Sequence, residues 1–247
     1  MTSKHLTRHK APWFWRILRK EYHWTVKPKP GPHPLERCIP LGIILRDYLK
    51  YAKTMREARI ILGEGKIKVD GKVRRDYKYP VGLMDVIEII PSREFFRVLP
   101  HPVKFLDLIP ISEEEAKFKL CRIENKTTVK GGNIQLNLHD GRNCLIKVAN
   151  PMNPEEDVFK TYDTIKVSIP RQELLGHYKF EEGAYAIVIG GNNVGRVGKI
   201  KGGTQVFKKS KAIVTLETEK GEELRTIMEY VFIIGKDKPE IKIFEVM

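Results

Sequence analysis

The sequence predicts an α+β chain of several small domains rather than one large core. Three observations carry this. At 247 residues the chain exceeds the usual single-domain size. One stretch repeats apolar residues every three or four positions and then switches to alternation. Most of the remainder consists of short alternating runs separated by Gly, Pro, Asn and Asp. The expected order is a basic extended N-terminal arm over residues 1–40, a compact helix-and-sheet module over 41–92, a β-rich domain over 93–174, and a small barrel with further strands over 175–247.

Net charge is +14, from 45 Lys and Arg against 31 Asp and Glu. It is unevenly spread: residues 1–40 carry +7, residues 41–90 carry +4, and the rest only +3. Such an excess suits a polyanionic partner, met chiefly through the first 90 residues. The three cysteines, Cys38, Cys121 and Cys144, form no C-x-x-C pair, which argues against a disulfide framework and for a reducing compartment. No apolar run approaches the roughly 18 residues of a membrane-spanning helix, and no signal peptide is expected.

The arm holds all three tryptophans (Trp13, Trp15, Trp24) and four of the seven histidines. Lys27-Pro-Lys-Pro-Gly-Pro-His-Pro34 cannot be helical, because proline lacks the N–H and restricts its predecessor. The segment is expected to run extended and to have too little apolar surface to fold alone. Lys4, Arg8, Lys10, Trp13, Trp15, Arg16, Arg19 and Lys20 then suit RNA, with charges on phosphates and rings on exposed bases. His5, His9 and Cys38 do not complete a zinc-ligand spacing.

In the module, Leu41, Leu45, Tyr48, Leu49 and Ala52 mark the buried face of a first helix, and Arg46, Lys50 and Lys53 fall on another face of it. Thr54 with Glu57 is a capping box that opens a second helix. That helix buries Met55, Ala58 and Leu62, presents Arg56 and Arg59, and stops at Gly63 and Gly65. Ile67 and Val69 then alternate with outward lysines, Asp70-Gly71 turns a hairpin into Lys72, Arg74 and Arg75, and Val86–Ile89 closes the sheet.

These residues resemble the alpha-L (S4-type) RNA-binding module: Leu45-Arg46-Asp47 with Leu49, Thr54 with Glu57-Ala58-Arg59, Gly65 through Lys72, and Gly82 with Asp85-Val86-Ile87. Met55 stands where many members carry arginine, and Asp70 where many carry asparagine.

Further on, strands are expected at Glu94–Leu99, Leu120–Ile123, Gln135–Leu138, Cys144–Val148 and Thr164–Ile169. Ser112 caps a short helix, Asp140-Gly141 turns a hairpin, and Pro151 and Pro154 mark a loop. Tyr185–Ile189, a glycine-rich turn (Gly190, Gly191, Gly195, Gly198) and a strand from Arg196 resemble the KOW motif that begins an SH3-like barrel. A P-loop fails there, since Ile200 follows Gly198-Lys199. Strands return at Ala212–Glu217 and Tyr230–Ile234, with a hairpin turn at residues 219–222.

No G-x-S-x-G, HExxH or paired-carboxylate spacing nominates a catalytic group, so no enzyme, cofactor or metal is expected. The succession of arm, module, β-rich domain and barrel resembles the S4e family of archaeal and eukaryotic small-subunit ribosomal proteins. Lys4-His5-Leu6, Gly31-Pro32-His33, Asp70 through Arg74, Met84 through Ile87 and Phe232 through Lys236 carry that likeness. The short stretch after Lys236 favours an archaeal source. The resemblance implies a cytoplasmic structural constituent of the small ribosomal subunit, in single copy, bound to 16S ribosomal RNA and neighbouring small-subunit proteins. The mechanism then follows from charge, with Arg46, Lys50, Lys53, Arg56, Arg59, Lys72, Arg74 and Arg75 as the expected phosphate contacts. A free RNA-binding or transcription-elongation factor using the barrel is the alternative.

Overall fold

The computed structural model describes residues 5–148, 157–204, 212–218 and 221–244. It forms two compact units, Met1–Val98 with Pro110–Ala116, and Leu99–Ile109 with Lys117–Met247. Lys4, the loop expected at Pro151 and Pro154, and part of the turn at 219–222 lie outside the described residues.

In the first unit the arm is folded, contrary to the expectation of an extended strap. Strand β1 (Leu6–Thr7) pairs antiparallel with β2 (Trp24–Thr25), closing the intervening chain into a loop. Leu6, Ala11, Phe14, Trp15 and Ile17 are buried. Their apolar area outweighs the cost of ordering the segment once it packs against the module. The proline run has neither helix nor strand, as its composition requires. It leads into β3 (Cys38–Pro40).

The first helix is shorter than its periodicity suggests. One turn, α1 (Leu41–Ile43), continues as a π-helical segment, Ile44–Tyr48, and ends there. Lys50 adopts φ of +60°, which no helix interior accepts. Lys50 and Lys53 therefore lie beyond the helix, and the expected Arg46–Lys50–Lys53 helical face is not formed. Helix α2 (Met55–Gly63) begins at the full capping box: the Glu57 N–H donates to Thr54 Oγ1, and the Glu57 carboxylate accepts from the Thr54 N–H. Ala58 and Leu62 are buried, while Met55 is only half-buried.

Strands β4 (Ile67–Val69) and β5 (Lys72–Val73) form the hairpin at Asp70-Gly71, both at positive φ. β6 (Pro80–Gly82) pairs with β3. β7 (Val86–Ile89), β8 (Glu94–His101) and β9 (Phe105–Ile111) complete a sheet in the order β5-β4-β7-β8-β9. The short helix α3 (Glu113–Ala116) follows, with the Glu115 N–H donating to Ser112 Oγ.

Among the described residues, the second unit holds two five-stranded antiparallel sheets. The first contains β10 (Phe118–Thr128), β11 (Ile134–Leu138), β12 (Asn143–Ile146), β13 (Thr164–Ser168) and β14 (Leu174–Tyr178), in the order β12-β11-β10-β13-β14. The long β10 pairs with β13 along its first half and with β11 along its second, with a register shift between Ile123 and Asn125. β14, not anticipated from the sequence, runs past residue 174, so the central sheet crosses the expected segment limit. Cys121, Ile123, Leu136, Ile165 and Val167 lie in this sheet's core.

The second sheet contains β15 (Tyr185–Val188), β16 (Val197–Thr204), β17 (Ile213–Glu217), β18 (Glu223–Ile227) and β19 (Val231–Gly235), in the order β18-β17-β16-β15-β19. β18 follows the hairpin turn expected at residues 219–222 and pairs with β17, though the sequence reading set no bounds for it. The glycines of the β15–β16 turn have identifiable reasons. A Cβ on Gly190 would lie 2.6 Å from the Tyr230 ring, and Gly195 at φ +77° packs against Pro102.

Lys119 and Arg122 of β10 are both buried. Arg122 donates to the carbonyls of Glu229 and Val231, tying β10 to the start of β19. Lys119 pairs with Asp140 at 2.9 Å. Cys121, His139 and Asp140 bring possible metal-ligating atoms within 4.8 Å of one another. Those atoms are already used: Asp140 meets Lys119 and Arg142, and His139 Nδ1 accepts the Arg122 N–H. No helix among the described residues is long and apolar enough to cross a membrane.

Candidate nucleic-acid interface

The interface is built from α2, the β4–β5 hairpin and the segment that follows. Thr54 fixes the start of α2, and backbone N–H groups of Lys53 and Thr54 hold the Glu57 carboxyl below its ordinary range. A capped helix start fixes the direction in which the next residues point. Arg56 and Arg59, in the first turns, are exposed. The Arg59 guanidinium lies 4.2 Å over the Tyr77 ring, and the Lys78 ammonium is 5.6 Å from the same ring. Stacking holds a cation in place without neutralising it.

On the hairpin, Lys72 and Arg75 are exposed, and Arg75 packs near Gly65. Arg74 is half-buried with its guanidinium 4.4 Å over Tyr79. Asp70 explains how the turn tolerates an acid where many alpha-L modules carry asparagine. Its Oδ1 accepts the Val86 N–H at 2.9 Å, a role that needs an acceptor oxygen, which either residue supplies. Arg46 points its guanidinium onto the neighbouring Asp47, at 2.8 Å, so much of its charge is met locally. Lys50 and Lys53 are exposed beside it.

The arm divides differently from the expectation. Trp15 is 3% exposed and its indole N–H donates to the Cys38 carbonyl at 2.8 Å, so it is a core residue and not a base-stacking ring. Arg8, 4% exposed, donates to Glu21 and to the backbone carbonyls of Leu18 and Trp24, and its guanidinium lies over Tyr22. It holds the loop together instead of reaching phosphate. Arg19 serves the same end, donating to the carbonyls of Arg8, His9, Ala11 and Pro12. A buried guanidinium has five donors to satisfy, and a loop of extended backbone offers the carbonyls. Arg16 is exposed and stacks over Tyr48 at 4.5 Å, while Lys10, Lys20 and Trp13 are exposed.

Three residues escaped the sequence reading of the module. Tyr77 and Tyr79 carry the stacked arginines, and Lys78 between them adds a cation. The run Tyr77-Lys78-Tyr79 alternates ring and charge, which was the available signal. The arm is joined to this module by more than proximity. His33 Nε2 lies 3.0 and 3.1 Å from the carboxylate oxygens of Asp85, and both residues are buried.

A capped helix and a hairpin presenting stacked, uncancelled cations on a small sheet define an RNA-binding module of the S4 class. The S4 domain matches residues 43–87, the RS4NT (NUC023) domain residues 2–36, and the ribosomal family S4e residues 92–174. The small ribosomal subunit protein eS4 of Staphylothermus marinus is 60% identical over 98% of this chain and 96% of its own. That of Aeropyrum pernix is 57% identical over 95% and 93%. The crystal structure of the 30S ribosomal protein S4e from Thermoplasma acidophilum superposes with a TM-score of 0.68 at 33% identity, covering 81% of this chain and 96% of that one. The chain belongs to the S4e family of ribosomal proteins.

Proposed function

We propose that this chain is a structural constituent of the small ribosomal subunit, present in one copy in the cytoplasmic ribosome. It binds 16S-type ribosomal RNA and touches neighbouring small-subunit proteins, and so supports subunit assembly and translation. The observation that carries the reading is the exposed cationic face of α2 and the β4–β5 hairpin, with Arg59 and Arg74 stacked on tyrosines. Arg56, Arg59, Lys72, Arg74 and Arg75 are its central phosphate contacts. Lys50, Lys53, Arg46, Lys10, Arg16, Lys20 and Trp13 extend it. Lysines and arginines on phosphates release counterions, so affinity falls steeply with salt and tolerates sequence change.

The division into arm, alpha-L module, central β domain and C-terminal barrel belongs to the same reading. The glycine-rich turn between β15 and β16 and the five-stranded sheet around it favour a KOW-type, SH3-like barrel.

Crosslinking the protein to RNA in cells, followed by sequencing, tests the assignment. Crosslinks clustered on small-subunit ribosomal RNA support it. Crosslinks spread over nascent transcripts would replace it with a free elongation-factor role. In the purified protein, Arg56→Ala with Arg59→Ala lowers ribosomal RNA affinity and reduces the slope of log K against log salt by about two.

A further inference from the structure

Beside the β1–β2 ribbon lies a cavity of about 560 Å³, within the roughly 300–1,000 Å³ of ligand pockets. Among its walls are the rings of Trp24, His23 and Tyr77 and the cations Lys27, Arg59 and Lys78. Among the described residues, no carboxylate lines it. Trp24 is 52% exposed yet held: His23 meets it edge-on at 4.3 Å, and His5 lies 5.2 Å away at a tilt. Arg59 is held over Tyr77.

The chemistry of these walls narrows the occupant. The cations and the lack of any acid disfavour a cationic ligand, and a purely apolar ligand would leave several charges desolvated. A paired RNA helix is too wide to enter. A flat ring carrying negative charge satisfies both kinds of wall. Single-stranded RNA supplies this when a base leaves its stack and lies on an aromatic side chain.

We propose that the cavity receives one unstacked nucleotide of RNA. Its base lies against Trp24, and its phosphate lies among Lys27, Arg59 and Lys78. This rests on the ribosomal-RNA reading above and adds a specific subsite to it: phosphate contacts on α2 and the hairpin position the RNA, and the cavity selects a place where a base is free.

The full chain and a 16S-type ribosomal RNA transcript provide the test, with affinity measured over a range of salt. Trp24→Ala lowers affinity about 5- to 150-fold, the loss of one base–ring stack. The salt slope stays unchanged, because no phosphate contact is removed. Trp24→Phe restores most of the affinity, which a merely structural or electrostatic role of Trp24 does not explain. Lys78→Ala instead flattens the salt slope by about one.

Ultraviolet crosslinking of the parent chain gives a second readout that does not depend on how a variant folds. A nucleotide adduct on Trp24, His23 or Tyr77, mapped by mass spectrometry, supports the subsite. Adducts confined to other residues overturn it, as does an adduct of Trp24 with a neighbouring protein in assembled subunits. If Trp24→Ala binds like the parent, the subsite fails while RNA binding stands. If the parent itself shows no salt-dependent affinity for ribosomal RNA, the ribosomal-RNA reading fails first.

Discussion

Replacing Asp140 by asparagine removes the carboxylate that Lys119 faces inside the second unit. The two side chains are 0% and 1% exposed, with Nζ 2.9 Å from Oδ2. Arg142 approaches the same oxygen at 3.2 Å, its backbone N–H donates to Oδ1, and the Cys121 thiol lies 3.7 Å away. Burial alone raises a carboxyl's pKa; here the charge and hydrogen bond of Lys119 and the charge of Arg142 outweigh it and hold Asp140 down to about 2, from an ordinary 3.8. Holding this carboxylate ionised stabilises the fold. Because the folded value is the lower one, this stabilisation is complete above pH 4 or so and is lost as pH falls from there towards about 2.

The substitution removes the carboxylate at every pH and leaves Lys119 charged in a dry place. Breaking one half of a buried pair costs about 3–5 kcal/mol. With a urea m-value of about 2 kcal/mol/M, the midpoint falls by about 2 M. Lys119→Met together with Asp140→Leu removes both charges and recovers most of the loss. Urea unfolding followed by far-UV circular dichroism at pH 7, and the parent followed from pH 5 to 2, gives all three numbers. An Asp140→Asn protein within about 0.5 kcal/mol of the parent, or a double variant no better than the single, would refute the reasoning.

Four further outcomes are expected from the first unit. Trp15→Ala removes a buried ring and its hydrogen bond to Cys38 and lowers stability by about 3–5 kcal/mol. Trp13→Ala, at a ring 67% exposed, changes it by less than about 0.5 kcal/mol, so thermal unfolding separates the two tryptophans. Thr54→Ala costs about 1 kcal/mol by removing the cap of α2, and amide exchange at Glu57 quickens. Gly82→Ala puts a Cβ 2.3 Å from His33 Cγ and drives that ring off Asp85; a loss of about 1–3 kcal/mol in denaturant unfolding is the expected cost.

Elements specified by local chemistry were legible in the sequence. The Thr54–Glu57 capping box, the Asp70-Gly71 and Asp140-Gly141 turns and most alternating strands depend on neighbours a few residues away, and each lies where its pattern placed it. The first helix was misjudged because apolar spacing continues to Ala52 while the backbone turns left-handed at Lys50. β14 was missed and β18 was left without bounds because Leu174-Leu-Gly-His-Tyr178 and Glu223-Leu-Arg-Thr-Ile227 alternate poorly and owe their strand form to β13 and β17.

The same distinction divides the functional residues. Composition and order determined that this is a basic protein with an S4-type module, because charge and local pattern are properties of the chain itself. They could not determine which cations face solvent. Arg8, Arg19 and Trp15 read like RNA-contacting residues beside Lys10, Arg16 and Trp13, yet the loop closed by β1 and β2 turns the first three inward. Only tertiary structure decides this, because a guanidinium is claimed by whichever carbonyls or carboxylates the fold brings within 3 Å or so. For Arg8, Glu21 and Trp24 stand 13 and 16 residues away in the sequence.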